Sequence, residues 1–236
     1  MRTIQNLIDG AFADAKTHLD RPAPATGQPC VRVPVTDADE VGRAADAARG
    51  AFPAWSRLPV AERSRLMNAL AARIDASLDE LAMLEAEETG KPLHLAKSLD
   101  IPRASHNFRF FAGAVQHFGG ESFRTGREAL NYVLHQPRGV AGCISPWNLP
   151  LYLFTWKIAP ALAVGCTVVA KPSELTPSTA ALLGRMAHEA GFPPGVLNIV
   201  HGPGSTGEAI VSHPRITTLS FTGGSATGAR IAGIAA

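Results

Sequence analysis

Cysteine and net charge are both scarce in this sequence. Its three cysteines, Cys30, Cys143 and Cys166, are too few for a disulfide framework, and none has the spacing of zinc ligands. The 22 Lys and Arg residues nearly balance 20 Asp and Glu residues, and no basic stripe is present that could hold a nucleic-acid backbone. We therefore expect no metal site, no disulfide and no nucleic-acid partner.

Long hydrophobic runs are also missing. The N-terminal segment lacks the apolar core of a signal peptide, and the longest apolar stretch, residues 158–170, is interrupted by Pro160 and Gly165. These features predict a cytoplasmic protein with no membrane partner. The remaining composition, 46% hydrophobic and 18% charged over 236 residues, is that of a globular protein with enough chain for one large domain.

The N-terminal half contains short strand patterns followed by helical ones. Residues 6–12 contain an Asp-Gly turn between short apolar runs, and residues 31–35 alternate in polarity, which predicts edge strands within the first 35 residues. An alanine-rich helix follows and is expected to end at Gly50 and Pro53. Apolar residues at steps of three and four predict one long helix or two in tandem over 60–88, and a further helix over 104–118.

The C-terminal half changes in rhythm. Residues 119–136 are polar and contain a Gly turn, which predicts a hairpin. Four β-branched runs then alternate with helical segments, which predicts right-handed βαβ crossovers and a parallel sheet with helices on both faces. The expected strands are 139–145, 166–171, 196–200 and 217–221, and the expected helices are 151–163, 177–190, 205–212 and 226–236. Functional groups are expected where these strands end.

Chemically distinctive segments follow all four of these predicted strands. In chain order they are Ser145-Pro146-Trp147-Asn148-Leu149-Pro150, Lys171-Pro172-Ser173-Glu174, Gly202-Pro203-Gly204-Ser205-Thr206-Gly207 and Thr222-Gly223-Gly224-Ser225-Ala226-Thr227-Gly228. In residues, order and spacing the segments resemble those of the aldehyde dehydrogenase superfamily, and the likeness extends over essentially the whole chain. The first two segments most resemble the branch of hydroxymuconic and aminomuconic semialdehyde dehydrogenases.

The resemblance implies a Rossmann-like α/β fold: a parallel sheet with helices on both faces, N-terminal edge strands and a hairpin for subunit contact. Residues 1–118 and 137–236 are expected to form a dinucleotide-binding domain that is incomplete at its C-terminus. Residues 119–136 are expected to form the oligomerisation hairpin of a homo-oligomer, and the catalytic domain is expected to be absent. NAD is the implied cofactor, and an aldehyde, more narrowly a semialdehyde, is the implied substrate.

Asn148 is the candidate catalytic residue. A neutral amide fixed near an aldehyde can stabilise the negative charge that develops on its oxygen by about 3 kcal/mol. The residue types alone favour a different role, because Asn is a common N-cap and Pro150 suits the first turn of a helix. The resemblance favours the oxyanion donor, and the two roles are compatible.

Lys171 and Glu174 are the candidate ribose ligands. A cation at a strand end can reach a ribose hydroxyl or a phosphate, and a carboxylate there accepts from both ribose hydroxyls and repels a 2′-phosphate. The resemblance assigns this task to the pair, with NAD preferred over NADP. A surface lysine and a first-turn glutamate beside a helix dipole would explain the same residue types. The resemblance also places four neighbours beside the cofactor: Ser145, Pro146, Trp147 and Ser173.

Two glycine-rich segments are candidates for the diphosphate. Residues 202–207 fit the Gly-x-Gly-x-x-Gly fingerprint, but Pro203 lacks an N–H donor and no acidic residue follows about 20 positions later. A tight strand–helix turn explains this segment, with Gly204 bordering the adenine. The resemblance instead places the diphosphate at the start of the last helix, against backbone N–H groups. The residues it implies there are Thr222, Gly223, Gly224, Ser225 and Gly228.

Gly224 departs from the family pattern, because many members of the family have serine at this position. One side-chain hydrogen bond to the diphosphate is therefore expected to be lost, or to be supplied by Ser225. The contacts from backbone N–H groups do not depend on this side chain.

The reaction of the family needs a nucleophilic cysteine and a general-base glutamate, both of which come later in the family's sequence than the dinucleotide loop. We therefore expect residues 1–236 to bind NAD without oxidising an aldehyde by themselves. A catalytically inactive nucleotide-binding or assembly module is the alternative. A third hypothesis, an acyl transferase that uses Cys166, is disfavoured because the apolar runs around Cys143 and Cys166 predict buried thiols.

Overall fold

Short strands and helices alternate along the chain, and the computed structural model describes all of residues 1–236. The strands are β1 (Arg2–Thr3), β2 (Asn6–Ile8), β3 (Ala11–Ala13), β4 (His18–Pro22), β5 (Pro29–Pro34), β6 (Ser122–Thr125), β7 (Ala129–Tyr132), β8 (Val140–Ile144), β9 (Thr167–Lys171), β10 (Leu197–Ile199) and β11 (Ile216–Phe221). The helices are α1 (Ala38–Arg57), α2 (Val60–Ala76), α3 (Leu78–Thr89), α4 (Leu93–Leu95), α5 (Ile101–Ala114), α6 (Pro150–Ala163), α7 (Ser178–Glu189), α8 (Gly204–Val211) and α9 (Ser225–Ala235). A π-helical turn (Ala96–Asp100) precedes α5, and a 3₁₀ turn (Val115–His117) follows it.

Six strands form the main sheet in the order β11-β8-β9-β10-β2-β3. Strands β11, β8, β9 and β10 are parallel, whereas β2 runs antiparallel to β10 and β3 antiparallel to β2. From β8 the chain adds β9 and β10 on one side and then places β11 on the other. The strand order therefore reverses between β8 and β11, and ligands of open α/β sheets bind at such a reversal.

The carboxyl ends of three strands lie level with one another. Phe221 of β11 pairs with Ile144 of β8, which in turn pairs with Lys171 of β9. The loops that follow these strands therefore start from one line across the sheet, which we call the carboxyl edge.

Helices cover both faces of the main sheet because successive strand residues point to opposite faces. Val168 of β9 belongs to a core of 33 buried residues to which α2, α5, α6 and α7 contribute. Its neighbour Val169 belongs to a second core of seven buried residues, which includes side chains of α1 and α8. The predicted Rossmann-like parallel sheet with helices on both faces is confirmed.

The predicted N-terminal strands are divided between two sheets. β2 and β3 form one edge of the main sheet, whereas β1, β5 and β4 form a separate sheet of three strands. The hairpin expected within residues 119–136 is present as β6 and β7, in which Ser122 pairs with Tyr132 and Thr125 with Ala129. These two strands form a sheet of their own.

The end of α1 differs from the sequence prediction. The helix does not stop at Gly50 or Pro53 but continues to Arg57. A proline inside a helix removes one backbone hydrogen bond, and here tertiary packing offsets that loss. The indole of Trp55 is buried just beyond the proline and donates to the carbonyl of Leu162 at 3.2 Å.

Two further predicted helices have different bounds in the structure. The segment 60–88 is the tandem pair α2 and α3, which meet at Ser77. The helix predicted over 104–118 starts at Ile101, where Pro102 suits a first turn, and gives way to the 3₁₀ turn before residue 118.

The last turns of α3 supply carboxylates to the N-termini of two other helices. Oε2 of Glu85 accepts from the backbone N–H of Leu151 in α6 at 3.3 Å. Oε2 of Glu88 accepts from the backbone N–H of Ser178 in α7 at 3.1 Å, and its other oxygen accepts from the Ser178 hydroxyl. Neither α6 nor α7 has a hydrogen-bonding side-chain cap of its own. Two otherwise unpaired helix N-termini are thus satisfied from a distance.

Burial raises the pKa of Glu88 to about 7, although its hydrogen bonds to Ser178 act in the opposite direction. The folded protein therefore holds this proton more tightly than the unfolded chain does. As the pH rises from about 4.5 to about 7, the unfolded carboxyl ionises before the folded one, and the free energy of unfolding falls.

We predict that Glu88→Gln flattens this dependence. Glutamine keeps an acceptor for the N–H of Ser178 but cannot ionise, so the loss of unfolding free energy between pH 5 and pH 7.5 should shrink by up to about 3 kcal/mol. Urea unfolding of wild type and variant across this range measures the change. Glu87→Gln, at the exposed neighbouring position, is the control. An identical pH profile for Glu88→Gln and wild type would contradict the prediction.

Candidate functional site

A cleft of about 720 Å³ opens at the carboxyl edge, where the strand order reverses. The loops after β8, β9 and β11 form its floor, and residues along the length of α8 and α9 form its walls. Ten predicted site residues line this main cleft: Ser145, Pro146, Trp147, Lys171, Ser173, Glu174, Gly204, Thr222, Gly223 and Gly224. Asn148, Ser225 and Gly228 do not line it but adjoin residues that do.

Lys171 and Glu174 lie together at the end of β9. Nζ of Lys171 is buried, donates to the Pro172 carbonyl at 2.9 Å and lies 3.6 Å from Oε2 of Glu174. Burial lowers the pKa of Lys171, and the carboxylate of Glu174 partly offsets this effect. The alternative of a surface lysine with a first-turn glutamate does not fit, because Lys171 is buried and Glu174 precedes the first residue of α7, Ser178.

Glu174 has a second cationic neighbour that the sequence analysis missed. Nη2 of Arg21, in β4, lies 3.8 Å from Oε1 of Glu174. The carboxylate is thus held between two positive charges that come from different sheets. Arg21 precedes Glu174 by more than 150 residues, so no local pattern could have indicated the contact.

The start of α9 presents open backbone to the main cleft. Gly224 is the N-cap residue, with φ −65° and ψ 145°, and no side chain caps the helix. A Cβ added to Gly224 would meet no atom within 4 Å, whereas one added to Gly223 would clash with the ring of Phe221. Gly223 therefore allows the loop to pack on Phe221, and Gly224 leaves free space beside the first N–H groups of α9.

The other glycine-rich segment, residues 202–207, forms a tight turn between β10 and α8. Gly202 has φ +146°, and the hydroxyl of Thr206 donates to the carbonyl of Thr36 at 2.7 Å, which ties the turn to the start of α1. Gly204 and Gly207 nevertheless border the main cleft, and a Cβ on Gly207 would lie 3.8 Å from Cδ of Lys171. The segment thus forms a strand–helix turn and one wall of the cleft at the same time.

Thr222 has a buried partner that the sequence analysis did not predict. Nζ of Lys157, in α6, donates to Oγ1 of Thr222 at 2.5 Å. Burial lowers the pKa of Lys157, because removal from water disfavours its charged form. The available signal was a single lysine among the apolar residues of α6, since such a charge needs a partner inside the fold.

Asn148 is exposed, and its side chain does not cap α6. The helix starts at Pro150, its N-cap residue is Leu149, and no side chain caps it. The capping role that the residue types favoured is therefore wrong. The backbone carbonyl of Asn148 is held instead, since it accepts a hydrogen bond from Nζ of Lys91 at 3.2 Å.

The cysteines lie away from the main cleft. Cys143 and Cys166 belong to the larger core, and burial raises the pKa of the Cys143 thiol to about 12. Cys30 is buried in the N-terminal three-stranded sheet. The burial predicted for Cys143 and Cys166 is confirmed, and the acyl-transferase hypothesis gains no support because Cys166 is buried and does not line the cleft.

The structure contains neither a cluster of metal-ligating side chains nor a membrane-spanning helix. No three His, Cys, Asp or Glu side chains are grouped so that they could hold a metal ion. None of the helices combines the length and the apolar character needed to cross a membrane.

The chain is similar to known proteins over almost its whole length. The model of the aldehyde dehydrogenase family matches residues 12–236. The chain is 48% identical over 235 residues to 2-aminomuconic semialdehyde dehydrogenase of Homo sapiens, a match that covers 99% of this chain and 48% of that protein. It is 45% identical over 232 residues to 5-carboxymethyl-2-hydroxymuconate semialdehyde dehydrogenase of Escherichia coli, which covers 98% of this chain and 50% of that protein.

A solved structure is similar over the same range. The NAD⁺ complex of aldehyde dehydrogenase from Bacillus cereus has a TM-score of 0.96 at 38% identity, covering 99% of this chain and 48% of that one. The chain spans about half the length of the curated relatives it matches. The resemblance indicated by the four motif segments is confirmed, and the chain belongs to the aldehyde dehydrogenase family.

Proposed function

We propose that this chain is the NAD-binding portion of an NAD-dependent aldehyde dehydrogenase, which oxidises an aldehyde to a carboxylic acid. One observation carries the proposal: Lys171, Glu174 and the open start of α9 meet in one cleft where the strand order reverses. The similar structure from Bacillus cereus was solved as an NAD⁺ complex.

The main cleft suits a dinucleotide in size and in chemistry. Its volume of about 720 Å³ is within the usual range of cofactor pockets. The N–H groups of α9 and the space beside Gly224 suit a diphosphate, while Glu174 suits the two hydroxyls of a ribose. Gly224 has no side-chain hydroxyl, so the adjacent Ser225 would have to supply a side-chain hydrogen bond to the diphosphate. NAD, when bound, supplies a nicotinamide ring that accepts hydride.

Asn148 is the proposed donor to the aldehyde oxygen. Its carbonyl is fixed by Lys91, and its side chain is exposed next to Trp147, which lines the main cleft. A fixed amide donor stabilises the developing oxyanion by about 3 kcal/mol. All three cysteines are buried. We therefore propose that the nucleophile and the general base come from outside residues 1–236, and that these residues alone bind NAD without oxidising an aldehyde.

Calorimetry with NAD and NADP tests the cofactor assignment. Wild type should bind NAD. Glu174→Gln should weaken NAD binding by roughly tenfold, the effect of losing a charge-assisted hydrogen bond, and raise the affinity for NADP relative to NAD. Lys171→Met should weaken the binding of both NAD and NADP. Glu189→Gln, on the surface at the end of α7, is the matched control. Absence of NAD binding by the folded wild type, or unchanged affinity in both cleft variants, would refute the assignment.

The surface next to Asn148 suits a semialdehyde, which carries a carboxyl group besides its aldehyde. Nη2 of Arg103, in α5, donates to the Tyr152 hydroxyl at 3.2 Å, and its guanidinium carbon lies 5.3 Å from the centre of the Tyr152 ring. Tyr152 and Trp156 form an edge-to-face pair with ring centres 6.0 Å apart. The arginine could pair with a carboxylate, and the aromatic rings could contact a planar conjugated chain. Both curated relatives described above are named for semialdehyde substrates.

Binding of trans,trans-muconate, a stable conjugated dicarboxylate, tests this substrate class. Saturation-transfer NMR should detect its binding to wild type, and Arg103→Met should weaken that binding by about tenfold or more, because a charged hydrogen bond to a carboxylate is lost. Arg109→Met, which removes a surface partner of Asp75, should bind muconate as wild type does. Equal binding by Arg103→Met and wild type would exclude Arg103 as the carboxylate site. An inactive nucleotide-binding module predicts no muconate binding at all.

The hairpin at residues 119–136 is proposed to join two copies of this chain in a homo-oligomer. Both of its strands have an unpaired edge, and its large apolar side chains are exposed. Those side chains are Phe123, Leu130, Tyr132, Val133 and Leu134. Unpaired edges and contiguous apolar surface are typical of association sites. A cytoplasmic location and the absence of a nucleic-acid partner stay predictions from the sequence.

Sedimentation velocity tests the hairpin. The double variant Leu130→Ser with Tyr132→Ser should sediment as a smaller species than wild type at equal concentration, because the apolar contact surface is reduced. Leu99→Ser, at an exposed leucine outside the hairpin, is the control and should sediment as wild type does. An unchanged sedimentation profile for the double variant would exclude the hairpin as the contact.

A further inference from the structure

Three ionisable side chains are buried together behind the loop that carries Asn148. They are Glu85 at the end of α3, Lys91 after it and Asp100 in the π-helical turn, with side-chain exposures of 0%, 15% and 3%. Nζ of Lys91 lies 3.3 Å from Oε1 of Glu85 and forms a second ion pair with Asp100. We call this group the Lys91 cluster.

The Lys91 cluster holds the loop at two points. Lys91 donates to the carbonyl of Asn148 at 3.2 Å, and Glu85 accepts from the N–H of Leu151 at 3.3 Å. An ammonium group has three N–H donors, and here two carboxylates and the Asn148 carbonyl account for all three. The segment 148–151 is thus fastened to the end of α3 on both sides of the start of α6.

The local backbone brings the cluster together. Gly90 ends α3 in the left-handed conformation, with φ +75°, and the turn returns Lys91 towards Glu85. The hydroxyl of Thr89 donates to the carbonyl of Glu85 at 2.6 Å and accepts from the N–H of Lys91 at 3.2 Å. Asp100 comes from a π-helical turn, an uncommon element that is often found near functional sites.

Stability alone is a poor explanation of the Lys91 cluster. Well-packed hydrophobic side chains usually stabilise a core as well as a buried ion pair does, or better. Two carboxylates also share one ammonium, and burial raises the pKa of Glu85 to about 7. The cluster instead fixes the position of the loop that carries Asn148. A hydrogen-bond donor in a catalytic site must lie within about 0.5 Å of its productive position.

We propose that Lys91 is a positioning residue, which fixes the main chain at Asn148, and with it the cleft wall of Ser145 to Trp147, against the end of α3. This inference rests on the function proposed above for Asn148 and the main cleft. Lys91 does not line the main cleft. Its proposed effect on the reaction is therefore indirect and acts through the position of Asn148.

Fluorine NMR of protein labelled with 5-fluorotryptophan tests the proposal, since the chain has three tryptophans. Trp147 adjoins Asn148, and the buried Trp55 reports on the overall fold. Lys91→Met should shift or broaden the Trp147 resonance and leave that of Trp55 unchanged. NAD affinity should fall roughly three- to tenfold, the effect of one lost hydrogen bond. Lys91→Arg, which keeps a cation with N–H donors, should restore both readouts towards wild type.

The control is Lys97→Met, which removes a lysine of the π-helical turn that forms a 2.7 Å ion pair with Asp79 at the start of α3. It should leave the Trp147 resonance and NAD affinity unchanged. If Lys91→Met gives wild-type values for both, or perturbs Trp55 as much as Trp147, the proposal is overturned. In the second case Lys91 serves the fold as a whole rather than the loop.

A neutral triple variant covers the case in which Lys91→Met does not fold. Glu85→Gln, Lys91→Met and Asp100→Asn together leave no unpaired buried charge but still remove the contact to Asn148. The proposal expects this variant to fold with a perturbed Trp147 resonance, and a wild-type resonance overturns it. If wild type binds no NAD, the proposed function fails, while the Trp147 resonance still decides whether Lys91 positions the loop.

Discussion

Hydrogen bonding among β11, β8 and β9 holds Phe221, Ile144 and Lys171 in one row across the main sheet. Because of this register, loops that are far apart in sequence, after Ile144, Lys171 and Phe221, begin at the same line. A shift of one residue would turn the side chain of Lys171 to the opposite face. The main cleft, the pairing of Lys171 with Glu174 and the start of α9 therefore all depend on the alignment of these three strands.

The N-termini of α6 and α7 differ from that of α9 in whether a side chain of the protein pairs with their free N–H groups. Those of α6 and α7 receive the buried carboxylates of Glu85 and Glu88, so their partial positive charge is already matched within the fold. The N-terminus of α9 has no such partner, and Gly224 leaves space beside it. The contrast explains how the N-terminus of α9 can remain available to an external anion while those of α6 and α7 are already paired within the fold.

Local patterns in the sequence were sufficient for the alternation of strands and helices and for the loops that line the cleft. Period-two and period-3.6 signals report each element on its own, and strand ends then follow from topology. The local patterns failed where contacts between residues distant in sequence determine the end of a helix or the partner of a site residue. Trp55 anchors to Leu162 and carries α1 past Pro53, and Arg21 reaches Glu174 from another sheet. Neither contact leaves a trace in the residues around it.

The pairing of β2 with β10 has a consequence for how the chain folds. Leu7 lies opposite Ile199, and the amide of Asp9 bonds to the side chain of Asn198 across 189 positions. During synthesis the first strands are therefore made long before the strand on which they dock. Contacts between residues so far apart in sequence slow folding. Until they form, apolar surface that the native fold buries remains exposed and can lead to aggregation. This edge of the main sheet therefore cannot form until residue 199 has been made and is free to pair with Leu7.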